Sequence, residues 1–272
     1  MAAEGEQSLM LCVQWAATLP RMSVEPHNAY MAQGRTMEIR LGHRALQVTI
    51  RGLLHFELDL HGRSIQCHGT HETRVKLIQY WFLQQVLPMF LLLSGSVELL
   101  HATAVQLARG AVAFLGCSGI GKSTLLHHCL SQGGALITDE HLAIDRSDYT
   151  KAVPSLPFYR PYRSVEDLGM RATRFQRQPT ALRRMYILKP AGALDPVSAQ
   201  PLANAELIAN LLNNRQYNLF HPDVPQFLPI MQERFTGLAN MARTIEVKRL
   251  NVPRSLERLP EVYEFIQRDM AS

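Results

Sequence analysis

The sequence predicts an α/β protein: a phosphate-loop core of mixed strands flanked by helices, with a β-rich extension ahead of it. Three observations predict this. An apolar run, Ala111 to Leu115, enters a glycine-rich loop and then a helical pattern from Leu125 to Leu130. Upstream, short alternating apolar runs fall between or beside Gly42, Gly52, Gly62 and Gly69, the spacing of an antiparallel meander. Downstream, Thr244 to Leu250 alternates cleanly and Leu259 to Met270 reads as a helix. A chain of 272 residues holds one large domain or two small ones. We divide it into a β-rich accessory region, residues 1–72, and a phosphate-loop core with C-terminal helices, residues 73–272.

Taken in order, residues 1 to about 35 are weakly patterned. Leu9 to Trp15 is a candidate strand, punctuated afterwards by Pro20 and Pro26. Four runs follow: Thr36 to Leu41, Leu46 to Ile50, Leu54 to Leu60 and Ser64 to His68. Residues 73 to 93 read as a buried helix, broken near Pro88 because proline lacks the amide donor. Val97 to Val105 is a strand, Ala108-Arg109-Gly110 a tight turn, and Ala111 to Leu115 the return strand. Gly133-Gly134 closes the helix after the loop, as C-caps do. Ala135 to Thr138 is a short apolar strand ending in Asp139-Glu140. Val153 to Arg163 is too rich in proline to be a regular helix. Arg184 to Lys189 is a strand that Pro190 ends. Ala203 to Leu212 and Pro229 to Ala242 are helical. No internal repeat is visible.

Composition narrows the function classes. The chain is 47% hydrophobic and 19% charged, ordinary for a globular protein. A formal charge of +5 suits a nucleotide or an acidic peptide. No basic tail points to nucleic acid. Cys12, Cys67, Cys117 and Cys129 form no zinc or redox spacing, so we read them as reduced thiols of a cytosolic protein. The most apolar stretch, Ile78 to Leu93, is too short and too polar to span a membrane. His55, His61, His68 and His71 have no tight ligand spacing and read as ordinary histidines.

The chemistry-bearing stretch is Gly116-Cys117-Ser118-Gly119-Ile120-Gly121-Lys122-Ser123-Thr124. It matches the phosphate-binding pattern G-x-x-x-x-G-K-[ST] in the strand–loop–helix context that pattern needs. Glycines let the backbone wrap a phosphate chain, and a helix N-terminus favours anions. Lys122 is expected at the β- and γ-phosphates and the Ser123 hydroxyl at Mg²⁺. Cys117 is either an oxidisable thiol or a small residue filling the turn. Asp139-Glu140 ends an apolar strand after the phosphate-loop helix, where such sites place metal-binding or base carboxylates. A turn-capping role for Asp139 is the alternative.

These residues carry a family resemblance. Leu100 to Asp145 resembles the catalytic domain of HPr kinase/phosphorylase, and more closely the HPr-kinase-related proteins of lasso-peptide biosynthesis. The resemblance rests on His101 in Leu-His-Ala-Thr-Ala-Val, on Gly116 to Ser123 and on Asp139-Glu140. His101 lies 21 residues before Lys122, and Asp139 lies 17 after it. The resemblance implies a kinase that uses ATP and Mg²⁺ to phosphorylate a serine of a peptide or protein, of the lasso-precursor type. It implies that Asp139 is the general base, that His101 lies beside it, and that Lys122 and Ser123 hold the triphosphate and metal. It also implies a glutamate metal ligand downstream, for which Glu166 is the nearest candidate, and a homo-oligomer. Ser123, Glu140 and Glu166 therefore form the candidate metal set. The sequence departs from the pattern at Cys117 and Glu140, where the family has Asp, and at His141, where it has Arg.

Two readings remain beside the peptide kinase: a kinase of a free amino acid or sugar, and a nucleotide-binding regulatory module without transferase activity. Arg160 and Arg163 are candidates for phosphate or substrate carboxylate, or are plain loop residues. Leu168 to Arg184 holds five arginines and no acid. The spacing of Arg171, Arg174 and Arg177 places them near one helical face. This stretch reads first as a solvated face, with an anionic-substrate surface or a loop that orders on binding as the alternative; for a precursor-peptide acceptor it is the first candidate to hold it.

Overall fold

A computed structural model describes residues 10–16, 19, 28–42, 45–62, 64–70, 73–161, 165–214 and 228–271. The expectations for Arg163 and His71 lie outside these residues. The chain divides into two compact units. The first runs to Ser94 and includes Val165–Asp167; the second holds most of the remainder. The boundary thus falls beyond residue 72, because the helical stretch after the first sheet groups with that sheet.

The first unit is built on six strands: β1 (Met10–Ala16), β2 (Asn28–Ala32), β3 (Arg35–Leu41), β4 (Ala45–Ile50), β5 (Leu54–Asp59) and β6 (Ser64–Thr70). Their order is β1-β6-β5-β4-β3-β2. From β2 to β6 each strand pairs antiparallel with the next, and β1 joins β6 in parallel. The expected meander is present. Inward residues such as Met37, Ile39, Val48, Ile50, Phe56 and Leu58 are fully buried, and apart from His55 beside Phe56 their neighbours are not, the period-two signature of a strand with one buried face.

The helical stretch consists of α1 (Val75–Trp81) and α2 (Leu87–Leu93), joined by a π-helical segment, Phe82–Val86. Pro88 does not break the helix. Leu87 donates its amide to the Phe82 carbonyl, a wider turn that gives room for the proline ring just ahead of it. Trp81, fully buried, donates its indole N–H to Glu166 Oε1 at 2.8 Å.

The second unit opens with β7 (Val97–Leu107) and β8 (Gly110–Leu115), a hairpin closed at the Leu107–Gly110 pair. Then come α3 (Lys122–Ser131), β9 (Ala135–Thr138), β10 (His141–Asp145), β11 (Lys151–Val153), β12 (Phe158–Tyr159), β13 (Met170–Arg171), β14 (Thr180–Ala191), β15 (Ser198–Pro201), α4 (Asn204–Asn213), α5 (Leu228–Thr244), β16 (Glu246–Pro253) and α6 (Leu259–Asp269). The main sheet runs β11-β10-β7-β8-β14-β16-β15, with β9 also on β7. It mixes the antiparallel β7–β8 hairpin with parallel β8–β14 and β14–β16 pairs. Pro190 does not end β14. There the strand pairs only with β16, at Val252, having left β8 at Ile187, so the missing donor interrupts no ladder on the β8 side.

Helices cover both faces. On one, Leu207 and Leu211 of α4 and Leu238 and Met241 of α5 pack on Leu100, Ala102, Ala113 and Ile187. On the other, Leu125, Leu126 and Cys129 of α3 and Val262 and Ile266 of α6 pack on Val105, Phe114 and Tyr186. The structure is the expected α/β core flanked by helices, with a strand-rich N-terminal unit. Fully buried Glu98 accepts from Arg234 Nε at 2.9 Å and Arg146 Nη2 at 3.2 Å, tying α5 to β7. Among the described residues, no helix is long and apolar enough to cross a membrane. All four cysteines are free thiols.

Candidate active site

The phosphate loop leaves β8 where the sheet is fully buried and turns at Gly116. That residue sits at φ +143°, and a Cβ there would stand 3.1 Å from Ile120 Cγ2. Both the backbone angle and the close approach require glycine. Gly121, at φ +109°, delivers the chain into α3. The first intrahelical bond is Leu125 N to Gly121 O, at 2.9 Å. The opening turn of α3 therefore directs its N–H groups toward the loop, and no acid stands there to compete for an anion. Lys122 is buried and folds back over the loop, donating to Gly116 O at 2.6 Å and Cys117 O at 3.2 Å. At the other end α3 stops as predicted: Gly134 N bonds Cys129 O and Gly133 N bonds Leu130 O, the bond pair of a Schellman cap.

Strand β7 supplies the floor. Leu100, Ala102 and Ala104 belong to the α4/α5 face and Val105 and Leu107 to the α3 face. By alternation His101 and Thr103 also face α3. The antiparallel strands β9 and β10 lie end to end along the same edge of β7. Thr138 pairs with Ala104 and His141 with His101. Asp139 and Glu140 occupy the step between them, opposite Ala102 and Thr103. Thr138 fastens the step, donating its hydroxyl to His141 O at 3.1 Å.

The outcome is a cleft of about 160 Å³ lined by His101, Thr103, Lys122, Ser123, Asp139 and Arg160, together with the glycines of the loop. Ser123 Oγ donates to Asp139 Oδ1 at 3.2 Å, and the Arg160 backbone N–H donates to Oδ2 at 2.6 Å. Burial pushes the Asp139 carboxyl up from 3.8 to about 6. The Arg160 N–H opposes this, the neighbouring Glu140 charge adds to it, and the Ser123 hydroxyl opposes it more weakly. Desolvation thus wins, leaving a carboxylate that is ionised at neutral pH but unusually basic. The Arg160 guanidinium is engaged by Glu140 rather than held open for substrate.

Glu166 is not among the cleft-lining residues. Its Oε1 accepts from Arg35 Nε at 2.5 Å and from Trp81, and its Oε2 from Arg35 Nη2 at 3.2 Å, all within the first unit. Burial pushes this carboxyl up, but the Arg35 and Trp81 hydrogen bonds outweigh that and hold it below its usual value. The Arg35 guanidinium and the Trp81 indole occupy the oxygens the resemblance assigned to a metal.

Arg171 and Arg174 do not lie on a helix. Met170–Arg171 pairs with β12, Phe175 bridges Leu136, and Leu136 N bonds Arg174 O at 2.9 Å. The backbone groups that a helix would use internally are spent on β9.

One residue escaped the sequence reading. Asn214, at the C-terminus of α4, is buried. Its side-chain oxygen accepts from Gly116 N at 2.9 Å, and its carbonyl accepts from His101 N at 2.6 Å. No motif marks an asparagine that acts across 98 residues of chain. An asparagine just past a predicted helix end was the only available signal.

The donor set fits Mg²⁺ and a triphosphate. Ser123, Asp139 and Glu140 line the cleft with hard oxygens, the donor type that Mg²⁺ takes beside phosphate and water. The Thr103 hydroxyl, 1% exposed, has no hydrogen-bond partner among the described residues and lines the cleft.

No protein-family model matches the chain. No curated protein matches it either. Among solved structures it is similar to the Hpr(Ser) kinase/phosphatase from Coxiella burnetii, at 12% identity and a TM-score of 0.31, over 64% of this chain and 99% of that one.

Proposed function

We propose that this chain transfers the terminal phosphoryl group of ATP to a hydroxyl, most simply a serine of a peptide or protein. The observation that carries the reading is the Ser123–Asp139 contact. It sets a buried, basic carboxylate 3.2 Å from the hydroxyl of the phosphate-loop motif. A serine hydroxyl is a poor nucleophile and needs a positioned base. Asp139 takes its proton as the serine oxygen bonds to phosphorus and the bond to the ADP oxygen breaks. The loop amides and Lys122 hold the phosphates in line, with Lys122 exchanging its loop carbonyls for phosphate oxygens. Ser123, with Glu140 nearby, would hold Mg²⁺; the ion, when bound, would offset negative charge on the transferring phosphate. His101 shapes the floor under the acceptor.

A peptide acceptor follows from the resemblance to precursor-peptide kinases. Free thiols and the ATP donor suit a cytosolic protein, and the resemblance favours a homo-oligomer. The test is Asp139→Asn. It should lose about 10²–10⁴-fold in transfer, the usual contribution of a general base, while ATP affinity by calorimetry holds. Full transfer in that variant refutes the base. Binding of ATP by the wild type, with no product from any peptide, amino acid or sugar, would leave only a regulatory nucleotide module.

A further inference from the structure

Beside the cleft lies a groove of about 1010 Å³ walled by Arg171, Arg174, Phe175, Arg177, Ala135 and Pro157. All three arginines are exposed. Eight arginines elsewhere, Arg35, Arg51, Arg146, Arg160, Arg184, Arg234, Arg249 and Arg258, hold carboxylates. Among the described residues no acid forms an ion pair with Arg171, Arg174 or Arg177, although Arg174 also donates to Gly133 O at 2.7 Å. Three guanidinium groups in one concavity, with no internal counter-charge, form a positive field that selects anionic partners.

The groove is joined to the cleft by two runs of backbone. Strand β9 begins in the groove at Ala135 and ends one residue before Asp139. Pro157 lines the groove, and three residues later Arg160 lines the cleft and donates to Asp139. Ala172 N bonds Pro157 O at 2.9 Å and Gln176 N bonds Leu136 O at 2.8 Å, fixing the arginine stretch to both runs. The four-residue step from Ala135 to Asp139 spans about 13 Å of extended chain.

We propose that this groove binds an acidic segment of the acceptor peptide, three to five residues from the serine that Asp139 deprotonates. The proposal rests on the phosphoryl-transfer reading above, which supplies the serine. A peptide fits better than a single-stranded nucleic acid, because Phe175 alone offers a ring and no row of aromatics is present for base stacking. Carboxylate side chains at alternate positions of an extended peptide meet guanidinium groups in charge-assisted, bidentate geometry.

The experiment measures binding without turnover. Fluorescent serine peptides carrying Asp-Glu-Asp centred four residues before or after the serine are titrated with the ADP·Mg²⁺-loaded protein, beside Asn-Gln-Asn versions. At least one acidic version should bind about ten-fold tighter than its neutral twin, with the difference fading at high salt. R171E/R177E should abolish that preference, R171K/R177K should retain most of it, and both should keep the wild-type ADP affinity and melting temperature. Arg174 is left in place because it holds Gly133. Equal affinity of acidic and neutral peptides, or a preference that survives R171E/R177E, overturns the assignment. So does tighter binding of single-stranded RNA than of either acidic peptide. Phosphate incorporation from ATP, measured separately, keeps the two ideas apart. Acidic peptides that bind but gain no phosphate leave the groove standing and remove the transferase. Neutral peptides phosphorylated as readily as acidic ones do the reverse.

Discussion

Strand β7 shows its two faces to two kinds of neighbour. Leu100, Ala102 and Ala104 meet Leu207, Leu211, Leu238 and Met241 in an apolar layer, next to which the buried Glu98 is neutralised by Arg234 and Arg146. His101 and Thr103, on the opposite face, stand under the phosphate loop beside Asp139. The apolar face gains by excluding water and leaving no gaps. The other keeps a buried carboxylate and a buried hydroxyl that fold stability alone would not select. Stability should therefore respond to substitutions on the first face, and function to substitutions on the second.

Leu238→Ala probes the apolar face. The side chain is 1% exposed, and its truncation should cost about 2–5 kcal/mol in chemical denaturation. ATP affinity of the folded protein should stay at the wild-type value; a large loss of affinity would mean that the two faces are not separable.

Asp139 sharpens the contrast through pH. Its folded pKa, about 6, lies above the unfolded 3.8. The native state binds the extra proton, so stability from this group is full below pH 3.8 and is lost as pH rises through 6. The loss is about 3 kcal/mol by linkage. Asp139→Asn should match the wild type near pH 4 and exceed its stability by pH 7, in denaturation midpoints taken across that range. Over the same window transfer by the wild type should rise with an acid limb near pH 6, since the base must be ionised. A flat rate profile from pH 5 to 8 would contradict the assignment.

Lys122→Ala should weaken ATP binding by about 10–100-fold, read by calorimetry, with little change in melting temperature. Unchanged affinity would count against the loop. The smallest effect is expected for Thr103→Val. Removing a buried hydroxyl that has no partner among the described residues should change stability by about 1 kcal/mol or less, in the stabilising direction. A large loss would reveal a hydrogen bond made by that hydroxyl.

The same contrast explains what could be read from the sequence. The strands of the first unit bury one face, so β3 and β4 alternate and their bounds were legible to within a residue or two. Strand β7, buried on both faces along most of its length, shows a near-continuous apolar run and was found by its length and its turn. β12, β13 and β15 are too short for any period to register, and β10 was hidden by the acids before it. The phosphate loop and Asp139 were legible because local spacing fixes their geometry. Glu166 answered only a loose spacing match, and the Arg35 and Trp81 partners that take its oxygens leave no local signal. The arginine stretch was given a helical face that it does not have, since its backbone bonds go to β9, a partner no local pattern reveals.

Asn214 turns the rim of the nucleotide cradle and the start of the strand beneath it into a single mechanical linkage. A displacement of the last turn of α4 would be passed to the amides of Gly116 and His101 together, since both donate to Asn214. Anything that grips or releases that helix end therefore has a lever on the mouth of the phosphate loop without touching a phosphate.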